Sequence, residues 1–478
     1  MTTGSEHQVA PKTWLTDDLV IASTERRREP ALAEVTIELA LAAPLPTRSA
    51  RYDVIVLTAE LPEAATTALE RRFCEHDHRV FRLRANGTSV LSVGETQAST
   101  EHAARASPEQ PLHQRLAGLR RDEAIGAAVL IIDDPSLSEA VARARAAWGW
   151  RVVEIANDAS TRADQRGRAD VTLSPETIEA ATSGRAASDG AAADEIATRR
   201  EAAWSTIDRA IRAVFPQASI AVLTHDNLAF SRLCLESLLA NTEYPNYELL
   251  VVDNASADGT PAYLRELAQR FPWVRPIFND RNAGFGPANN QALAAATGEI
   301  LVLLNNDTML PRGWLTRLAQ HLTDPTLGLI GPATNRTCNE AQIEAPYETY
   351  GDFLAFAQRR AIDYDGLRHE IRMPMMFCTA FRRDILDRVG PLDERFETGM
   401  FEDEDFALRV KAAGYQVAWA PDVYVHHAYH ASIGKLLPSG RYTALFKANQ
   451  QRFEEKWGIC WERHRPAPIP PPTAASTG

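Results

Sequence analysis

Three polar clusters in the chain each follow an apolar run: Thr224-His225-Asp226-Asn227, Asp253-Asn254-Ala255-Ser256 and Asn305-Asn306-Asp307. One such cluster is ordinary loop chemistry, because Asp and Asn are common in turns. Three in succession make a candidate site. A carboxylate at Asp253 can accept hydrogen bonds from a base N–H or from ribose hydroxyls. Asn282-Ala283-Gly284-Phe285-Gly286 supplies small residues past which a ligand can approach backbone closely. Asp307 is a hard oxygen ligand of the kind Mg2+ or Mn2+ selects. These groups together suit a nucleotide diphosphate, with a divalent metal offsetting its charge.

Two more clusters are capable of chemistry. Glu402-Asp403-Glu404-Asp405 places four acids in a row, followed by Phe406-Ala407-Leu408-Arg409-Val410. Taken alone, such a tetrad reads as a helix N-terminus, where the dipole favours carboxylates. Like-charge repulsion among the four would raise at least one pKa toward neutrality, as a general base requires. His426-His427 follows the strand-like Asp422-Val423-Tyr424-Val425. An isolated pair of this kind is ordinarily structural.

Strands and helices must position these groups. Ser219–Thr224, Tyr247–Val252 and Glu299–Leu304 are predicted strands, each stopping at one of the polar clusters. Helices are predicted over 228–241, 259–271 and 289–297, the last stopped by Gly298. Strands alternating with helices imply a parallel sheet, and ligands bind outside the carboxyl ends of such strands. A separate, earlier block repeats the pattern. Strands are predicted at 53–57, 78–83, 127–132 and 151–155, with helices over 62–74 and 136–148. Residues 176–210 are rich in Ala, Ser, Gly and charge, and read as a linker that becomes a connecting helix. The Pro-rich end is expected to be disordered. The predicted division is an extension (1–49), a Rossmann-like α/β domain (50–175), a linker and connecting helix (176–214), a main α/β domain (215–462) and a tail (463–478).

Composition narrows the partners. A net charge of −12 over 478 residues gives no general attraction for nucleic acid or anionic lipid. The five cysteines are scattered without metal-site spacing, which fits a reducing compartment better than a disulfide framework. No signal-peptide pattern opens the chain, and no apolar run reaches the roughly 18 residues of a membrane span. A cytoplasmic protein is expected, soluble or peripheral at the inner face of the membrane.

The stretches VVDNASADGTPAYL (251–264), NDRNAGFGPANNQALAAATGEILVLLNNDTMLPRGWL (279–315), VGPLDERF (389–396), MFEDEDFALRVKAAGY (400–415) and VYVHHAYHAS (423–432) resemble the family 2 glycosyltransferases. Their order and spacing are the family's, and they span about half the chain. The set looks most like the bacterial branch that includes rhamnosyltransferases and other cell-surface polysaccharide enzymes. The resemblance implies a GT-A fold, a metal-assisted inverting transfer, a UDP- or dTDP-sugar donor, and a glycan, lipid-linked or protein acceptor.

Roles follow from the resemblance position by position. Thr224, Asp253 and Asn254 lie where the family binds the nucleoside, and Asn282, Gly284 and Asn289 where it lines the donor pocket. Asn305-Asn306-Asp307 occupies the Asp-x-Asp metal motif, with Asp307 as its remaining carboxylate and Asn305 and Asn306 beside the donor. His427, five residues before Ser432, matches a second metal ligand, with His426 as the alternative. Asp403 matches the general base and Glu402 accompanies it. Glu402 and Asp405 orient neighbours or bind acceptor, with Asp405 and Trp314 assigned to the acceptor side. Two departures stand out: the family's Thr-Tyr-Asn is Thr224-His225-Asp226 here, and Ala428-Tyr429-His430-Ala431 replaces the usual glycines.

The first block resembles, more weakly, the N-terminal half of a GT-B glycosyltransferase, with no second half following. A non-catalytic domain for docking or acceptor recognition is the simpler reading of it. Rival functions are a catalytically inactive sugar-nucleotide-binding scaffold, a subunit of an envelope assembly, and another nucleotide enzyme. A dehydrogenase needs a G-x-G-x-x-G turn after its first strand, and Thr224-His225-Asp226-Asn227 has no glycine. A pyrophosphorylase needs a loop rich in glycine and Arg or Lys, and none is found.

Overall fold

The computed structural model describes residues 53–57, 63–75, 80–82, 91–93, 112–122, 128–132, 141–143, 151–155, 171–182, 190–428 and 441–464. The predicted extension, most of the Pro-rich tail and the segment around Ser432 lie outside the described residues, as does most of the predicted 136–148 helix.

The first sheet comprises β1 (Asp53–Leu57), β2 (Val80–Arg82), β3 (Leu91–Val93), β4 (Ala128–Ile132), β5 (Arg151–Ile155) and β6 (Val171–Leu173). Their order is β3-β2-β1-β4-β5-β6. All neighbours are parallel except β2 and β3. Val54–Leu57 and Ala128–Ile132 are buried along their whole length, which is why they read as unbroken apolar runs. Strands β3 and β6 were not expected; three residues each carry too little pattern.

Helices α1 (Glu63–Glu75), α2 (Leu112–Asp122), α3 (Pro175–Thr182) and α4 (Gly190–Ala213) accompany this sheet. The 24-residue α4 occupies much of the expected linker, and it is packed rather than spanning. Trp204, Ile207 and Ile211 form a buried stripe along it. Trp204 meets Phe73 of α1 edge-on at 4.8 Å, and Arg72 pairs with Glu201 at 2.5 Å. The large apolar residues are few, but helical spacing puts them on one face.

The main domain contains β7 (Ala218–Thr224), β8 (Tyr247–Asp253), β9 (Val274–Phe278), β10 (Ile300–Asn305), the short β11 (Thr308–Met309), β12 (Leu327–Ala333), β13 (His369–Glu370), β14 (Cys378–Arg382), β15 (Gln416–Tyr424) and the short β16 (His426–His427). Eight of these form a mixed sheet of order β13-β15-β12-β14-β10-β7-β8-β9, and β11 pairs with β16 in a separate ladder. Strands β10, β7, β8 and β9 are parallel, and β14 runs antiparallel to both its neighbours. The helices are α5 (Leu228–Asn241), α6 (Thr260–Arg270), α7 (Phe285–Ala295), α8 (Trp314–His321), α9 (Tyr350–Asp363), α10 (Arg383–Val389), α11 (Glu402–Ala412) and α12 (Arg441–Trp457).

Helix α7 begins four residues before its predicted start at Asn289 and ends at Ala295, so Gly298 is not its stop. A Cβ on Gly298 would lie 2.6 Å from the Gln217 carbonyl oxygen and 2.7 Å from the Ser219 nitrogen. The glycine is needed for close backbone approach where β10 meets β7. Among the described residues, no helix is long and apolar enough to cross a membrane.

Candidate active site

Thr224 is registered with Asp253, and Asn305 with Leu223, so the three predicted clusters do share one edge of the sheet. The rim is laced from both sides. Asp253 is buried, and its Oδ1 accepts from Ser256 Oγ at 2.5 Å and from Thr224 Oγ1 at 3.1 Å. The Thr224 hydroxyl thus orients a carboxylate. Asp226 spends its side chain on the Ala257 N–H at 2.8 Å, and its own N–H donates to Ser256 Oγ. Asp226, Asn227 and Ala255 have positive φ, which Asp and Asn tolerate but which the surroundings must enforce at Ala255.

Asn254 builds the next loop. Its Oδ1 accepts from Ala283 N at 2.8 Å and Asn279 Nδ2 at 3.1 Å. Its Nδ2 donates to Asn282 Oδ1 at 2.7 Å and to the Gly284 carbonyl at 3.3 Å. All the amide's main valences are therefore used within the protein. Asn254 thus shapes the 279–284 loop. Asn282 Oδ1 also accepts from Gly284 N, and Asn289 Nδ2 donates back to Phe285 O at 2.9 Å. Gly284 has φ 87°, and a Cβ there would meet Thr398 N at 3.3 Å.

Asp307 and His427 face each other across the β11–β16 ladder, in which Thr308 is paired with His427. Asp307 Oδ1 lies 3.4 Å from His427 Nε2. His427 Nδ1 is 3.1 Å from the Arg336 carbonyl, which can only accept, so this nitrogen carries the proton. Nε2 then presents its lone pair toward a carboxylate. Two acceptors at that distance suit a cation held between them. An oxygen and an imidazole nitrogen held this way fit a Mg2+ or Mn2+ site completed by ligand oxygens. Among the described residues, no three His, Cys, Asp or Glu side chains gather into a metal cage. The ring is further braced by stacking on Phe377 at 4.7 Å and by bonds from both backbone groups to Asn335.

The His pair separates because successive strand residues face opposite ways. His426 points into the core, with Nδ1 2.7 Å from Tyr347 Oη. Burial, then His427, pulls its pKa down to about 3, so it stays neutral. It is not placed to share a ligand with Asp307.

The acidic tetrad divides into two pairs. Glu404 is bound by Arg372 and by Trp461 Nε1 at 2.7 Å. Asp405 is fully buried between Arg409 Nε at 2.9 Å, Lys456 Nζ at 2.5 Å and Trp457 Nε1 at 3.0 Å. Glu402 and Asp403 have no such counter-ions among the described residues. Burial, followed by Asp403 and Asp405, pushes Glu402 well above the usual carboxylate range. Its Oε2 is buried without a hydrogen-bond partner among the described residues. Burial also drives Asp403 up to about 6, with Glu404 adding repulsion against a bond from the Glu404 N–H. A buried carboxylate with that pKa is suited to general base work near neutral pH.

Two loops join the parts. Residues 335–338 brace His427 at one end, and at the other Cys338 has its thiol held up by desolvation and then by the Asp403 charge. The turn before Glu402 packs against the donor loop through Thr398 and Gly284.

Three other assignments need correction. Trp314 is buried in the core and donates Nε1 to Thr242 Oγ1 at 3.0 Å, so it cannot line an acceptor pocket. Asp405 is closed to an acceptor by its three partners. Asn306 turns inward and donates to Ser231 Oγ at 2.9 Å. At Asn305, the described bonds beyond the sheet are the backbone's, to Phe377 O and from Thr308 Oγ1 and Cys234 Sγ. The motifs missed Asn335, Arg336, Phe377 and Arg372, which brace the site from distant segments. Tyr442, Phe446, Phe453 and Trp457 of α12 do recur at helical spacing.

Residues 219–390 match the profile described as Glycosyl transferase family 2. An uncharacterized protein of Sinorhizobium fredii, y4gI, is 29% identical over 51% of this chain and 28% of its own length. Glycosyltransferase AglE of Haloferax volcanii is 25% identical over 44% of this chain and 67% of its own. The chain thus spans under a third of the first relative and about two thirds of the second. Among solved structures, a mannosyltransferase of Pyrobaculum calidifontis in complex with GDP-Man and Mn2+ is 23% identical, with a TM-score of 0.38, over 50% of this chain and 65% of that one.

Proposed function

We propose that the protein is an inverting glycosyltransferase that moves a sugar from a UDP- or dTDP-linked donor to an acceptor hydroxyl, in the synthesis of a surface polysaccharide or other glycan. The acceptor would be a glycan, a lipid-linked saccharide or a protein. The observation that carries this reading is the shared rim. There Asp253 ends β8 beside Thr224 of β7, and Asp307, which faces His427, follows the end of β10.

In this reading Asp253 receives the nucleoside, and the loop shaped by Asn254 lies along the donor. Asp307 and His427 would hold the divalent metal, which when bound offsets the charge gathering on the leaving diphosphate. Asp403 accepts the proton of the acceptor hydroxyl. The acceptor oxygen bonds to the anomeric carbon as the bond to the diphosphate oxygen breaks, inverting that carbon. Glu402 keeps its proton and can donate a hydrogen bond beside the base.

The test is donor binding and slow donor hydrolysis, with water in place of the acceptor. A panel of UDP-, dTDP- and GDP-sugars is offered with Mn2+, Mg2+ or chelator to wild type, Asp307→Ala and Asp403→Asn. Metal-dependent binding of one donor, lost in Asp307→Ala, is expected. Turnover should be lost in Asp403→Asn with binding kept. No metal-dependent response to any donor would overturn the proposal in favour of a scaffold.

A further inference from the structure

The turn that delivers the acidic pair is held in a conformation it would not choose. Thr398, Gly399, Met400 and Phe401 all have positive φ, at 68°, 125°, 77° and 74°. Three of them carry side chains, for which this region persists only when the surroundings over-determine it. Helix α12 supplies those surroundings. Asn449, fully buried, donates from Nδ2 to the Gly399 carbonyl at 2.8 Å and lies 3.3 Å from the Glu397 and Met400 carbonyls. Its Oδ1 accepts from Arg452 Nη1 at 2.8 Å, which fixes the direction of the amide. Arg452 Nη2 reaches Glu397 Oε1 at 3.1 Å. Around Phe401 stand Phe446 at 5.1 Å, Phe453 at 5.4 Å and Trp461 at 5.3 Å. The Phe401 carbonyl in turn accepts from Asp405 N at 2.9 Å, fixing the first turn of α11.

We propose that α12 is a clamp that sets the position of Asp403 against the donor loop, and that Asn449 is its positioning residue. This rests on the reading of Asp403 as the base. Asn449 acts only through the backbone of 397–400. The same backbone lies 3.3 Å from the Cβ position of Gly284 and holds Gly399 against Phe285. The titratable groups around Asp403 are Glu402, Glu404 and Asp405 on its own helix and Cys338 on the 335–338 loop, with Arg372 on Glu404 and Arg409 and Lys456 on Asp405. Asn449 is none of these, so replacing it alters geometry without altering charge.

The experiment uses the full chain and measures donor hydrolysis for wild type, Asn449→Ala, Asn449→Ala with Met400→Gly, and Asp403→Asn. Asn449→Ala is expected to lower kcat about 10- to 100-fold with donor KM little changed, and to move the acid limb of the pH profile. Glycine accepts positive φ readily, so Met400→Gly should restore part of kcat. Amides 399–405 should exchange hydrogen about 10-fold faster in Asn449→Ala, read by mass spectrometry without any donor. If Asn449→Ala does not fold, Phe446→Leu carries the same test with a smaller loss. Wild-type kcat and pH profile in the folded variant, with Asp403→Asn inactive, would overturn the clamp alone, as would unchanged exchange. Activity in Asp403→Asn would instead sink the reading of the base.

Discussion

His427 holds its Nε2 3.4 Å from Asp307 Oδ1 because its other ring nitrogen is committed to the Arg336 carbonyl and its backbone to Asn335. The pair is therefore oriented before any ligand arrives. Asp307→Ala and His427→Ala are each expected to abolish measurable Mn2+ binding in the presence of nucleotide diphosphate. Asn335→Ala leaves both ligands in place and should weaken binding about 10-fold. Calorimetric titration checks this, and wild-type affinity in Asn335→Ala would remove the brace from the account.

The rim was legible because buried parallel strands are apolar runs that stop abruptly, as Leu249–Val252 stops at Asp253. The facing of side chains was not legible. Trp314 sits in a matching stretch, but which side of α8 meets the core depends on Thr242 and the sheet beneath. The choice between His426 and His427 needed the ladder with β11, since one residue of register exchanges their surroundings. The division of the tetrad depended on Arg372, Lys456, Trp457 and Trp461, all remote in sequence. Strand β14, which carries the sheet from β10 to β12, was not predicted at all, because Cys378–Arg382 is short and its polar residues hide the pattern.

Activity should fall as pH drops through about 6, since burial first and Glu404 second lift Asp403 to that value and the base works only when ionised. Burial, followed by the Asp403 charge, raises Glu402 well above the usual carboxylate range and so favours its protonated form. Gln mimics the protonated acid, so Glu402→Gln should leave the acid limb where it is. A kcat profile between pH 4.5 and 8 at saturating donor, with those buffer limits set by roughly 1.5 to 2 units either side of the limb, decides it. A limb displaced toward acid in Glu402→Gln would mean that Glu402 is charged.

The same shift has a cost to folding. Asp403 has a folded pKa above its unfolded 3.8, so its contribution is fully present below that value and is lost as pH rises through about 6. Above pH 7 the buried charge costs up to about 3 kcal/mol. Asp403→Asn removes it, and Asn Oδ1 can still accept from the Glu404 N–H, a bond of 2.8 Å in the native chain. The variant should be inactive yet more heat-stable than wild type at pH 8, with the gain shrinking toward pH 4. Equal melting temperatures at pH 8, both with chelator present, would contradict a strained carboxylate.

Gly298→Ala tests the joint beneath the rim. Its Cβ would fall 2.6 Å from Gln217 O and 2.7 Å from Ser219 N, both backbone atoms that cannot swing aside. Separation of β10 from β7 is the only relief, and a loss of about 1–3 kcal/mol is expected. Denaturant unfolding measures it. A neutral result would show that the strands have room that their register does not suggest.

Trp314 separates the two roles that a matching motif can confer. An acceptor-lining ring would, when replaced, raise acceptor KM and spare the fold. The observed ring is buried, and its N–H is taken by Thr242 Oγ1 at 3.0 Å. Trp314→Phe keeps most of the apolar volume and loses the donor, leaving the Thr242 hydroxyl to find another partner. The expected outcome is a stability loss of about 1–3 kcal/mol, with acceptor KM unchanged once the acceptor is known. Before then, donor KM and hydrolysis at 25 °C should match wild type, because the ring is buried in the core against Thr242. A raised KM with an unchanged unfolding midpoint would return Trp314 to the substrate side and would require α8 to turn its face outward.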